Sequence, residues 1–430
     1  MRKVTLSSRQ LLFAPLPLRL ARTNHDAIVK PAAPVHPIAR LPEEWRDALA
    51  PRGERAFAAK QIFNWIHRHG VVDPAAMTNV SARLRAALAE EGLGSVAEIV
   101  HVHRSADGTR KLVVRLKDGA TIETVLLPAV SGPGARQESE IDADAAAAEE
   151  DEEEDDATTE EAFRGKTRVT QCISTQVGCA MGCVFCASGV AGWKRHLGPE
   201  EIVAQILLGR ALLDEDEALR NVVFMGMGEP LHNYDGTARA LRLLTHPDGI
   251  ALSTRRVTVS TSGLVPEIAR LGRDFNGQIA LAISLHAADD ESRSALMPIN
   301  KKYPIAELLA ALKAYPMQRR RRITIEYTLV SGKNDDVAEA NKLARLLRGM
   351  PVKINLIPMN PIEASTLGPP DMTRVFAFQQ ALVGAGYSCF IRRRRGDDVS
   401  AACGQLVLLG AKPKVKGFGA KGADATQSPK

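Results

Sequence analysis

At 430 residues with 45% hydrophobic content, the chain has room for about two to three globular domains, which excludes a fibrous or wholly disordered protein. The formal net charge of +6 understates its basicity: residues 137–161 hold fourteen Asp or Glu and no Lys or Arg, so the remainder carries +20, a surplus suited to a polyanionic partner. Six cysteines, three within eight positions, argue against a disulfide framework, and the N-terminal LLFAPLPLRL is broken by two prolines and an arginine; no membrane span or leader is expected, and the reading is cytoplasmic.

Residues 1–40 are rich in Pro, Ala and Arg without sustained periodicity and are expected to be a disordered arm. Helical spacing then takes over in LPEEWRDALA, RAFAAKQIFNWIHRHG and SARLRAALAEEG, the last two closing on Gly70 and Gly92, so residues 41–96 predict a small α-helical module. Lys60, His67 and Arg68 on its second helix either touch RNA phosphates or form a solvated face. Residues 97–130 alternate as strands in EIVHVHRS, TRKLVVRLKDG and ATIETVLLP, separated by DG turn signals, and predict a short antiparallel β extension. Glu123 in the third strand is either an edge residue facing water or a carboxylate held beside a pocket. Residues 131–165 turn to Gly and Pro, then alanine and acid, and are expected to be a disordered acidic insertion.

Residues 166–410 repeat one unit. VTQCIS, NVVFMGMG, RRVTVSTSG, IALAISLHA, RRITIEYTLV and VKINLIPMN are six apolar strands, most followed by a helical stretch such as PEEIVAQILLGRALL. Strands alternating with helices predict a parallel sheet with right-handed crossovers, and without a Rossmann glycine fingerprint the expected fold is α/β, a partial (βα)6 barrel. Its site belongs at the carboxyl ends of the strands, where the cysteine loop, residues 226–229, 260–263 and 284–286, and Asn360 are polar or glycine-rich. The region closes with the helix MTRVFAFQQALVGAG, the strand YSCFIRR, four arginines at 392–395 and the loop GDDVSAACGQL with Cys403; residues 411–430 predict a disordered basic tail.

The densest chemistry lies at 177–193, VGCAMGCVFCASGVAGW, which sets Cys179, Cys183 and Cys186 in a CxxxCxxC array. Three thiolates interleaved with small residues suit one inorganic centre, and no partner pair follows at zinc-finger spacing to supply a fourth ligand. A [4Fe-4S] cluster on three cysteines leaves one iron open for another molecule.

This array, with GMGEPLHN, VTVSTSG, AISLHA, INLIPMNP and RRRRGDDVSAACGQL in that order, resembles the radical S-adenosylmethionine RNA methyltransferases over residues 41–408. Within them the chain looks most similar to the bacterial dual-specificity enzymes that methylate carbon 2 of an adenosine in 23S rRNA and in tRNA next to the anticodon. The resemblance implies that Cys179, Cys183 and Cys186 hold the cluster and that its open iron binds S-adenosylmethionine, two of which are used per turnover. Gly228 and Glu229 would meet the amino end of that cofactor, with Ser260, Ser284, Leu285, His286 and Asn360 along the remainder.

The resemblance also implies that Cys403 is methylated first and that a radical step joins its carbon to the base. Cys172 would then release the product by forming a disulfide with Cys403, and Glu123 would take the ring proton. Cys389 matches no role and reads as a core thiol. The arginines at 319–322 and 392–395 would meet phosphates. Implied partners are 23S rRNA, tRNA and an electron donor such as flavodoxin, for a monomer. The acidic insertion, lying between Glu123 and Cys172, is expected to leave and return near the site. The nearest alternative is the related carbon-8 rRNA adenosine methyltransferase of the antibiotic-resistance type; a glycyl-radical-activating enzyme or a non-catalytic RNA-binding protein would have no use for Cys172 and Cys403.

Overall fold

The computed structural model describes residues 35–129, 165–319, 321–363, 365–392 and 394–406. The acidic run, the basic tail and most of the expected arm lie outside the described residues. The described chain starts within that arm, where Pro37–Ala39 forms a buried 3-10 turn.

Three helices follow: α1 (Pro42–Leu49), α2 (Ala56–His67) and α3 (Ala82–Glu90). Pro42 opens α1 with its ring already at a helical φ, and the Glu44 carboxylate accepts from the Leu41 N–H at 2.9 Å; Ser81 caps α3 by accepting from Leu84 N–H at 3.2 Å. The apolar stripe of α2, with Ile62, Phe63 and Ile66, is fully buried.

The central sheet has ten strands among the described residues, in the order β1-β2-β3-β4-β7-β8-β9-β10-β11-β12. β1 (Ala97–Arg104), β2 (Arg110–Leu116) and β3 (Thr121–Pro128) run antiparallel, turned at Gly108 and Gly119, whose φ of 83° and 82° a side chain would resist. β3 also pairs antiparallel with β4 (Thr167–Cys172), so the extension is not a separate sheet but continues the barrel's edge. From β4 onward every pairing is parallel: β7 (Glu217–Phe224), β8 (Val257–Thr261), β9 (Ala280–Ser284), β10 (Ile323–Leu329), β11 (Val352–Pro358) and β12 (Cys389–Ile391).

The six predicted strands are therefore β4 and β7 to β11, and the fold is the expected open α/β barrel. β10 and β11 are buried along their whole length, as parallel strands covered on both faces must be. Outside the sheet, β5 (Gln176–Gly178) and β6 (Trp193–His196) form an antiparallel pair bracketing the cysteine loop and the short α4 (Ala187–Ala191). Helices α5 (Pro199–Arg210), α6 (Tyr234–Thr245), α7 (Val265–Asp274), α8 (Asp290–Leu296), α9 (Ile305–Ala314), α10 (Val337–Leu346) and α11 (Met372–Gly384) make the crossovers.

The parallel register lines up the strand ends. Ser260 pairs with Ala282 and Ser284 with Glu326, which brings the carboxyl ends of β8, β9 and β10 to one rim.

Candidate active site

The cysteine loop is folded by glycine. Gly178 has φ 77°, and a Cβ there would stand 1.9 Å from the Gly192 carbonyl oxygen, so only glycine lets the two ends of the loop close, with Cys179 N–H donating to that oxygen at 3.1 Å. Gly189 is also crowded, its would-be Cβ 2.9 Å from the Cys183 backbone. Cys179, Cys183 and Cys186 all line one cavity at the strand ends, with Met181, Phe185, Gly228, Glu229, Ser260, Ser284, His286, Glu326, Asn360 and Cys403.

Burial pushes the Cys179 thiol up to about 12 and raises those of Cys183 and Cys186 as well. Thiols held neutral by burial bind a cation by giving up their protons to it. Among the described residues no three Cys, His, Asp or Glu side chains converge tightly enough for a single ion. The three thiols line one cavity, as the ligands of a single multi-iron cluster would.

Opposite them, the buried Glu229 carboxylate accepts from Ser262 N–H at 2.7 Å and from Leu231 N–H at 3.1 Å, yet burial still raises its pKa. His286 has φ 57°, and its Nδ1 accepts from Thr328 N–H at 2.9 Å, so the proton rides on Nε2; burial pushes its pKa down to about 3. Phe185 meets the His286 ring edge-on, centroids 4.9 Å apart. Of the predicted cofactor residues, Gly228, Glu229, Ser260, Ser284, His286 and Asn360 line the cavity. Leu285 does not: its side chain is fully buried in the core.

A second cavity adjoins the first. Cys186, Met225, Gly226, Ile357, Asn360, Cys403 and Gly404 belong to both, so Cys403 stands on a shared wall, while Cys172 lines the second cavity alone. The Cys403 loop is stitched in place by Ala187 N–H to Gly404 O at 2.8 Å, Ser188 Oγ to Leu406 O at 2.7 Å and Asn360 Nδ2 to Cys403 O at 2.9 Å. Cys172 pairs across the ladder with Val125, and Val125 shares its face of β3 with Glu123 and Leu127.

Glu123 is therefore no edge residue facing water. It is 2% exposed and ion-paired at 3.0 Å with Lys111, itself 6% exposed, whose Nζ also donates to Ser400 O at 3.4 Å in the Cys403 loop. Burial pushes the Cys172 thiol up to about 12, with Cys403 adding and Arg392 opposing. Arg392 answers in kind: its own pKa is raised chiefly by Cys403, and its Nη1 lies 3.9 Å from Glu326 Oε1, while Glu326 Oε2 accepts from Ser260 Oγ at 2.8 Å. All six cysteines are free thiols.

The profile of the Radical SAM superfamily matches residues 173–344, and that of a ribosomal RNA large subunit methyltransferase N-terminal domain matches residues 42–93. The chain is 76% identical over 385 residues to the dual-specificity RNA methyltransferase RlmN of Sorangium cellulosum, covering 90% of this chain and 98% of that protein. The chain belongs to the RlmN family of radical S-adenosylmethionine RNA methyltransferases. The RlmN of Phenylobacterium zucineum is 43% identical, over 83% of this chain and 85% of its own. A solved radical SAM methyltransferase from Sphaerobacter thermophilus superposes with a TM-score of 0.75 at 41% identity, covering 87% of this chain and 99% of that one. RlmN membership carries with it a [4Fe-4S] cluster and S-adenosylmethionine, and the cavity lined by three thiols fits that pair.

Of the arginines at 392–395, Arg392 and Arg394 line the second cavity, Arg394 donates to Met359 O at 3.3 Å, and Arg395 donates to Asp107 Oδ2 at 2.9 Å and Pro128 O at 2.9 Å. Arg393 and Arg320 lie outside the described residues. Arg322 donates to Ser388 Oγ at 2.7 Å, and Arg321 to Gln278 O. In the helical module His67 is fully buried, its pKa pushed down to about 3 by burial, and Lys60 pairs with Asp248 at 2.7 Å.

The described chain breaks off just after Pro128, which pairs with Val169, three residues or roughly 10 Å along β4 from Cys172. Cys389 is buried as read. No described helix is long and apolar enough to cross a membrane. Lys111, Glu326 and Gln176 were missed; Glu326 alone carried a signal, a lone carboxylate in an apolar strand like that of Glu123.

Proposed function

We propose that the chain methylates carbon 2 of an adenosine in 23S rRNA and in tRNA next to the anticodon, through a methylated cysteine and a transient RNA–protein adduct. The observation that carries this reading is the place of Cys403, on the wall between the cluster cavity and the cavity that holds Cys172. Carbon 2 of adenine is electron-poor and has no lone pair, so a methyl group cannot be placed on it by simple displacement, and a protein sulfur must carry the carbon. When bound, the cluster and S-adenosylmethionine supply a transferable methyl group and, on reductive cleavage, a hydrogen-abstracting 5′-deoxyadenosyl radical.

The chain's own groups do the rest. Cys403 carries the methyl carbon and holds it against the base. Arg392 opposes the burial that holds the Cys172 thiol neutral. Cys172 attacks the Cys403 sulfur; the new S–S bond takes the place of the carbon–sulfur bond, and the ring is released. Glu123, on the same strand face, accepts the ring proton, and Lys111 aims its carboxylate.

Residues 41–96 and the basic surface hold the surrounding RNA while the target nucleotide is extruded to the barrel mouth. A flavodoxin-type donor supplies electrons to a cytoplasmic monomer. The carbon-8 alternative shares both thiols, and the high identity to dual-specificity relatives supports carbon 2. The test is nucleoside analysis of 23S rRNA fragments and tRNA after incubation with anaerobically reconstituted enzyme: 2-methyladenosine is expected, and 8-methyladenosine or no methylated base contradicts the reading.

A further inference from the structure

The rim of the cysteine loop carries a surface that this chemistry leaves unused. Trp193 opens β6 immediately after Gly192 and is 47% exposed, an unusual position for so large a ring. Its ring centroid lies 5.3 Å from that of His196 and 5.9 Å from that of His232, and the two imidazoles are 4.9 Å apart.

One buried side chain sets the chemistry of both histidines. Gln176 Oε1 accepts from Glu229 N–H at 3.0 Å, which identifies its other end as the NH2 group. That NH2 lies 3.0 Å from His196 Nδ1 and 2.9 Å from His232 Nδ1. An amide NH2 has two protons to give and accepts none, so both Nδ1 atoms must accept, which leaves each ring's N–H on Nε2. The outcome is an exposed indole flanked by two imidazole Nε2–H donors. The cluster is also rigidly referred to the cofactor cavity, because Gln176 braces the Glu229 backbone and fills the space where a Gly228 Cβ would lie, 2.6 Å from its own Cβ.

We infer that Trp193, His196 and His232 form a docking point for one unpaired nucleotide of the RNA substrate, its base stacked on the indole and its phosphate accepting from the imidazole Nε2–H groups. The inference rests on the RNA methyltransferase reading and adds to it a place of contact beside the cluster loop. Extruding an adenosine from folded RNA leaves its neighbours unpaired, and stacking on an aromatic ring holds such bases without reading their identity. An enzyme that serves two different RNAs needs a contact of that tolerant kind.

The test uses full-length reconstituted enzyme and an in vitro transcript of a 23S rRNA fragment. Of the three tryptophans, Trp45 is fully buried and Trp65 stands partly buried in the helical module, so fluorescence quenching on RNA titration is compared between W193F and the wild type to isolate the Trp193 signal. The inference predicts clearly less quenching in W193F. It predicts that W193A raises the RNA KM by roughly tenfold or more, with iron content and the S-adenosylmethionine KM unchanged, and that W193F recovers most of that loss.

Undiminished quenching in W193F, or a wild-type RNA KM in W193A, would overturn it. So would a loss of iron in W193A without weaker RNA binding, which would make Trp193 a prop for the loop. RNA that quenches the wild type through Trp193 yet gains no methyl group would support the docking point and contradict the methylation reading instead.

Discussion

Lys111→Met removes the ammonium that faces Glu123 at 3.0 Å, in a pair whose side chains are only 8% and 3% exposed. Methionine keeps the length and packing of the lysine stem, so the loss is electrostatic. Taking one member from a buried ion pair costs on the order of 3–5 kcal/mol, because the remaining charge stays in a low-dielectric wall without that partner. The bond from Lys111 Nζ to Ser400 O goes with it, which loosens the loop of Cys403.

At about 2 °C per kcal/mol for a large chain, the thermal midpoint should fall by on the order of 6–10 °C. The double variant Lys111→Met, Glu123→Met should recover most of this, since an apolar pair of similar volume replaces a buried ion pair at little or no cost. Neither variant should release methylated RNA at the wild-type rate. Differential scanning fluorimetry of the four members of the cycle is the assay. A single variant within about a degree of wild type, or a double variant no more stable than the single, would refute the reasoning.

Cys403→Ala should bind the cluster and S-adenosylmethionine but retain no methyl group on the protein; intact-protein and peptide mass spectrometry check this, and a methylated Cys389 in the wild type would contradict the assignment. Gly178→Ala forces a Cβ to within 1.9 Å of Gly192 O at a φ of 77°, so the cysteine loop must open and iron content after reconstitution should fall sharply while far-ultraviolet dichroism is kept. Asp107 accepts from Thr109 N–H at 2.9 Å and Gly396 N–H at 3.0 Å. Burial alone would raise its pKa, but hydrogen bonds from Thr109, Gly396 and Ser105 hold it well below the usual carboxylate range. A depressed carboxylate stabilises above its unfolded pKa and is lost as pH falls through the folded value, so the wild-type tie should survive to strongly acid pH. Asp107→Asn should show faster limited proteolysis within 396–406 at neutral pH, and equal cleavage rates would show the tie to be idle.

The barrel was legible because parallel strands buried on both faces read as unbroken apolar runs, and because polar residues gather where those runs end. The cysteine array was legible from spacing alone. Leu285 follows the last residue of β9 and packs its side chain into the core, while Ser284 and His286, the latter at a left-handed φ of 57°, line the cavity on either side of it. A charge run does not say which of its members turn inward: here Arg392 comes beside the thiols, and Asp107 takes Arg395. Lys111 and Gln176 gave no signal, since each matters only through partners distant in sequence: Glu123 and Ser400 for the first, Glu229, His196 and His232 for the second.

The division of labour between the two cavity thiols is tested most directly with Cys172→Ala. Incubated with RNA, S-adenosylmethionine and a reductant, the variant should keep its iron and accumulate a covalent RNA–protein adduct, seen on a denaturing gel and mapped by mass spectrometry to Cys403. Normal turnover to methylated RNA without an adduct would contradict the account.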